Sequence, residues 1–349
     1  MVRRRLATVT AIVGAIVVAG ASLTGRSAFS KARPLKSVHV VVPLNSVDAL
    51  VYLGGRDAGI FRKHGIDLTA DPRPFAGFLA GLPSRVSMVG TYPGLGAIQK
   101  INQGMPLAII GGGLTVVNAV IVRRNSPFKS LTDLRGKPIG VQSTGSGAFK
   151  CVRAAALAAY GFDIKNDTKM EQVPAPALYK LLEAGRVDAM VSISSFTMKA
   201  LSQPDKFRVL FSPNEYWIKQ TGYPIVWDAP LVAWRSWVNQ DPVRAKDFAD
   251  AAAESFRALR DPHNFDSDLK KYGELAGITS PGQIATYKKQ FAAKKIFLTR
   301  WDKKVADAEW KFLALAKKEG ILKKVPPEAQ NALLLGNASP ALVQAQPGR

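Results

Sequence analysis

The sequence predicts a two-lobed α/β protein in which each lobe packs helices against a largely parallel sheet. Three observations carry this expectation. Short β-branched runs alternate with helix-like stretches from Val38 through Met190, the order that builds parallel sheets. One strand-to-loop corner occurs twice, as LPSRVSMV at 82–89 and LEAGRVDAMV at 182–191. The chain is then predominantly helical from Pro242 onward. Both corners leave their strand through small residues: Gly90, Thr91, Tyr92 and Pro93 after the first, and Ser192, Ile193, Ser194 and Ser195 after the second. Corners at the carboxyl ends of parallel strands are where α/β folds hold small ligands, so the doubling points to two similar lobes facing each other.

The elements follow in order. Arg3, Arg4 and Arg5 precede an uncharged run from Leu6 to Leu23, and Ala19-Gly20-Ala21 offers a small-x-small cleavage site. That layout predicts a secretory signal peptide over residues 1–21 and a flexible leader over 22–36. The run approaches the minimum spanning length, so a retained anchor is the alternative. Its Gly and Thr content favours cleavage, and Arg3-Arg4 leaves the Sec and twin-arginine routes both open.

Val38–Val42 reads as a buried strand ending at Pro43, and Asn45-Ser46 as the cap of a helix through Ala49, Leu50 and Leu53. A strand follows at Ile66–Thr69, a helix at Phe75–Leu82, a strand at Val86–Val89, a helix at Thr91–Gln103 and a strand at Leu107–Ile110. Gly111-Gly112-Gly113 reads as a bend. The run Val116–Val122 leads into Arg123–Pro127, the expected crossover between lobes. Ser130 caps a short helix to Leu134, a turn and strand occupy Gly136–Val141, and a helix covers Ala148–Tyr160. The return crossover is expected near Tyr223–Trp234, where Gly222, Pro224 and Pro230 interrupt regular structure.

The bulk numbers exclude several classes. At 47% hydrophobic and 21% charged, 349 residues supply packed cores for about two domains. Cys151 is the only cysteine, so no intramolecular disulfide forms and no cysteine near residue 20 can carry a lipid. The formal charge of +22, or +19 without residues 1–21, invites a nucleic-acid reading. Yet the C-terminal lysine pairs alternate with apolar residues at helical spacing, as on solvated helix faces, and no nucleic-acid motif accompanies them. No nucleic-acid partner is expected. His39, His64 and His263 are isolated, with no metal-ligand spacing, G-x-S-x-G elbow or P-loop, so neither catalysis, cofactor nor metal is expected.

Four segments make the chain resemble a known family: GIFRKHGIDL at 59–68, SLTDLRGKPIGVQSTGSGAFK at 130–150, LYKLLEAGRVDAMV at 178–191 and EWKFLALAKKEGILKKVP at 309–326. Together they resemble the periplasmic substrate-binding proteins of ABC importers, in the branch that binds nitrate, taurine, alkanesulfonates and thiamine precursors. The resemblance implies a two-lobed, type II-like periplasmic-binding-protein fold with two crossover hinge segments. Lobe one would comprise residues 37–120 and 225–349, and lobe two residues 121–224. It also implies a monomeric periplasmic protein that captures a small molecule between its lobes. An ABC permease in the inner membrane, with its cytoplasmic ATPase, would receive the solute. The chain departs from the pattern at Ser87, where the first lobe of the family carries an acidic residue, and it lacks the cysteine-rich motif of the pyrimidine-synthesising relatives.

The candidate binding residues lie at the strand ends. Ser143, Thr144, Gly145 and Ser146 stand between a strand and a helix, where free N–H groups, the helix dipole and three hydroxyls suit a sulfonate, carboxylate or phosphate. Simple helix capping is the plainer alternative. Thr91 and Tyr92 occupy the first corner and Ser194 the second; Asn45, Ser46 and Asp48 follow the first strand, and Trp227 and Asp228 sit at the return crossover. A small organic anion such as a sulfonate is the expected ligand. A neutral aromatic heterocycle such as a thiamine precursor, suited to Tyr92 and Trp227, and a periplasmic hydrolase or lyase on the same scaffold are the alternatives.

Overall fold

The computed structural model describes residues 34–335; the signal peptide expected over 1–21, most of the leader, and residues 336–349 lie outside the described residues. The strands are β1 (Lys36–Pro43), β2 (Ile66–Arg73), β3 (Val89–Thr91), β4 (Leu107–Leu114), β5 (Val120–Arg123), β6 (Pro138–Val141), β7 (Lys169–Gln172), β8 (Ala189–Val191), β9 (Phe207–Phe211), β10 (Ala229–Trp234) and β11 (Phe297–Leu298). β1 and β2 pair in parallel, with β1 alongside β3. The other two sheets run β11-β4-β10-β3 and β7-β6-β8-β5-β9. The chain is a two-lobed α/β fold whose halves repeat one plan. In each, a three-residue strand from the doubled corner (β3 or β8) pairs antiparallel with a strand that follows a crossover (β10 or β5).

Burial explains why these segments are strands. β4 is buried along its whole length, and Val38, Val40, Val41 and Val42 of β1 are buried. Strands covered on both faces by helices read as continuous apolar runs. Each half has its own core: stacked Tyr52, Phe61 and Phe248 sit in the first, Phe149 and Phe162 in the second. The C-terminal helices Pro242–Ala258, Pro262–Ala276 and Pro281–Ala292 each begin with proline, behind Asp241, Asp261 and Ser280 respectively as side-chain caps. Proline at the first helical position sacrifices an N–H that has no partner in any case. Helix Pro281–Ala292 lies against Ser194–Leu201 of the second half, and helix Lys303–Lys318 against Gly147–Tyr160. No helix of the described residues is long and apolar enough to cross a membrane.

Several elements differ from the sequence reading. Gly111-Gly112-Gly113, expected as a bend, is instead part of strand β4, where its pairing with β10 shifts register. A Cβ on Gly112 would fall 1.9 Å from the Leu298 carbonyl oxygen, and one on Gly113 2.2 Å from that of Ala229. The glycines serve close strand approach rather than turning. The expected crossover at Arg123–Pro127 is also displaced. β5 already pairs with β8 and β9 from Val120, so the chain passes between halves over residues 115–119. The β-branched run 116–122 is buried throughout except at Val117, and apolarity alone does not separate a buried connector from a strand. The helix expected from Thr91 begins at Gly94, because Thr91 completes β3 and Pro93 keeps the preceding residue extended.

The two crossovers run side by side. Val116 N–H donates to the Ile225 carbonyl at 2.7 Å, and Ile225 N–H to Asn214 Oδ1 at 2.7 Å. Val226 N–H donates to Oε2 of Glu309, which is fully buried on helix Lys303–Lys318. Burial pushes the Glu309 carboxyl well up, and its Oε1 takes no hydrogen bond among the described residues.

Candidate functional site

The ends of β1, β4 and β8 and the two crossovers converge on one cavity of about 60 Å³. Its polar lining comes from both halves: Asn45 and Ser46 after β1, Thr115 on the outgoing crossover, Asp228 on the return, and Ser194 and Ser195 after β8. Tyr287 on helix Pro281–Ala292 completes it, with Met198 and Ile296 on the apolar side. Asn45 holds a left-handed backbone (φ 59°) and its N–H donates to the Leu275 carbonyl at 2.7 Å. Asn is among the few residues that adopt this conformation readily, and it turns the loop into the cavity.

The carboxyls dominate the electrostatics. Asp48 is 2% exposed; Thr91 Oγ1 donates to its Oδ1 at 2.8 Å and Ser46 Oγ to its Oδ2 at 2.5 Å. Burial pushes its carboxyl up, and the two hydroxyls partly oppose this. Asp228 accepts from Ser194 Oγ at 2.8 Å, a bond that joins the return crossover to the second half. The surface it retains faces the cavity, and burial pushes its carboxyl up to about 7, with the Ser194 bond opposing and the charge of Asp48 adding. Burial, then Asp228 and Asp48, also raise the Tyr287 hydroxyl. Among the described residues no lysine or arginine lines the cavity; Lys295, next to Ile296, turns its Nζ to Glu215 at 3.3 Å.

The structure therefore brings together Asn45, Ser46, Asp48, Thr91, Ser194 and Asp228, with Asp48 and Thr91 one layer behind the cavity wall. Ser143, Thr144, Gly145 and Ser146 lie elsewhere. Ser143 and Ser146 line an adjoining crevice of about 10 Å³, too small for a sulfonate. Their groups are largely engaged locally: Ser146 Oγ caps the helix by accepting from Phe149 N–H at 3.1 Å, and Ser143 Oγ accepts from Gly145 N–H at 3.2 Å. Tyr92 packs on Phe78 and donates its hydroxyl to the Leu79 carbonyl at 3.1 Å. Trp227 is fully buried against Trp310, with its indole N–H donating to the Glu309 carbonyl at 3.2 Å. Both rings belong to the core and not to the cavity. Sequence reasoning missed Thr115 and Tyr287. Thr115 stands in an apolar run, and Tyr287 occupies one turn of an amphipathic helix; neither carries a local motif.

Comparison with known proteins places this geometry. The profile of a family described as NMT1/THI5 like matches residues 47–264. Comparison with curated proteins gave no match. Among solved structures, the periplasmic aliphatic sulphonate binding protein SsuA from Escherichia coli superposes with a TM-score of 0.68 at 17% identity, over 85% of this chain and 92% of that one. The periplasmic sulfonate-binding protein SsuA from Methylobacillus flagellatus KT gives 0.64 at 19% identity, over 86% and 92%. The desulfurization enzyme DSZB gives 0.55 at 14% identity, over 86% and 98%. At these identities the likeness shows the shared two-lobed fold.

Proposed function

Because this chain belongs to the NMT1/THI5-like family, we propose that it is an exported solute-binding protein. It captures a small molecule between its halves, without turning it over, and delivers it as a monomer to an ABC permease in the inner membrane with its cytoplasmic ATPase. In this reading residues 37–120 with 225–349 and residues 121–224 are the lobes, and the paired crossovers are the hinge. The observation that carries it is the cavity itself, walled from both halves and lined by convergent polar groups at strand ends. The sulfonate binders SsuA of the same fold support a periplasmic location and a solute-binding role.

The enzyme DSZB has the same fold, so scaffold alone does not decide between binding and turnover. The side chains here favour binding. Cys151 is fully buried and its thiol is pushed well up, by burial first and then by the Asp228 and Glu309 carboxylates. His64 is engaged by Glu254 at 2.8 Å and His39 by the Val86 carbonyl at 2.8 Å, neither lining the cavity. The test is to incubate the purified protein with a cell metabolite extract and read added mass by native mass spectrometry. A single bound component, released unchanged on unfolding, is expected; a chemically altered one would replace this reading by an enzyme.

A further inference from the structure

The cavity has a charge character that the sulfonate binders of this fold do not lead one to expect. Asp228 presents its carboxyl to it, and only Oδ2 is engaged, by Ser194 at 2.8 Å; Oδ1 takes no hydrogen bond among the described residues. Tyr287 lines the same space at 5% exposure, and its hydroxyl has no hydrogen-bond partner among the described residues. Directly behind Ser46 stands Asp48, a second buried carboxyl. No basic side chain of the described residues lines the cavity.

We propose that the solute held here carries a protonated nitrogen, an alkylammonium or amidinium group that docks on Asp228 and Tyr287, in place of a sulfonate. The inference rests on the solute-binding reading and names its ligand class. A buried carboxylate without a counter-charge is costly, and a cationic ligand supplies the missing partner. A sulfonate would instead bring a further negative charge close to Asp228 and Asp48, in a space where water screens little. The cation's N–H groups fit Asp228 Oδ1 and the Tyr287 oxygen, two lining atoms that can accept and that take no hydrogen bond among the described residues. Besides burial, the groups that act on the Asp228 carboxyl are the Ser194 hydroxyl and the Asp48 carboxyl, and neither is cationic; Asp228 in turn raises the Cys151 thiol and the Tyr287 phenol.

Isothermal titration of the purified protein with propylammonium and acetamidinium, against propanesulfonate and nitrate, at pH 6 and pH 8 tests this. The cations are expected to saturate, and to bind up to about tenfold more tightly at pH 8, because Asp228 with a pKa of about 7 is mostly protonated at pH 6. Asp228→Asn, confirmed folded by circular dichroism, is expected to lose roughly 10–100-fold in cation affinity, together with the pH dependence. Tyr287→Phe is expected to lose a few-fold. Propanesulfonate binding that tightens toward pH 6 would overturn the cation assignment and keep the solute-binding reading. So would a protein that binds a component of the metabolite extract but neither cation. A protein that binds none of these would overturn both.

Discussion

Replacing Asp228 by Asn should make the stability of this protein less sensitive to pH in a defined window. In the folded chain, burial, reinforced by the charge of Asp48, raises the Asp228 carboxyl to about 7, above the ordinary 3.8. The folded state therefore holds this proton where the unfolded chain releases it. The stability linked to protonated Asp228 is fully present below about pH 4, falls as pH rises toward 7, and is gone above it. At about 1.4 kcal/mol per pH unit, the displacement corresponds to a change of about 4 kcal/mol across the window. Asn keeps the shape and can still accept from Ser194, but it has no proton to lose. The difference in unfolding free energy between wild type and Asp228→Asn, from urea melts at pH 4.5, 6 and 8, should thus shift by roughly 2–4 kcal/mol in favour of the variant as pH rises. A difference that stays constant with pH would refute the enclosure of Asp228, and the electrostatic argument with it.

Three further substitutions probe the scaffold. Gly112→Ala places a methyl 1.9 Å from a backbone oxygen of the neighbouring strand, so β4 and β11 must separate; a loss of more than about 2 kcal/mol is expected in urea melts. Trp227→Ala should cost about 3–5 kcal/mol by emptying a core site, with the native-mass ligand signal retained at low temperature, since the ring packs on Trp310 away from the cavity. Ser146→Ala removes the acceptor for Phe149 N–H and should cost about 1 kcal/mol by chemical denaturation. Titration with sulfate should give the same response before and after that change, because the loop caps its own helix; a sulfate response lost with the hydroxyl would restore it as an anion site.

Much of the architecture was legible in the chain. The doubled corner at 82–89 and 182–191 marked β3 and β8 as equivalent, because a short apolar strand followed by small polar residues is a local pattern. The placement of Asn45, Ser46, Ser194 and Asp228 along one cavity, with Asp48 behind it, was foreshadowed by their positions after a buried strand, at the second corner and at the return crossover. The 143–146 loop lies apart from that cavity with its hydroxyls engaged locally, and the sequence does not foretell this: serine hydroxyls before a helix look the same whether they cap its N–H groups or await a ligand. Trp227 and Tyr92 pack in the core, a placement sequence does not settle because aromatic residues serve cores and pockets alike.

The sequence by itself determined the alternation of strand and helix, the two matching halves and the proline-led C-terminal helices, since these follow from periodicity, capping and backbone restrictions between near neighbours. The tertiary structure decided the rest: that Gly111–Gly113 lets strands approach, that Tyr287 shares the cavity with Asp228, and that no basic group of the described residues joins them there. Those facts depend on residues tens to hundreds of positions apart, and on how far the fold excludes water from a carboxyl, which no local pattern encodes.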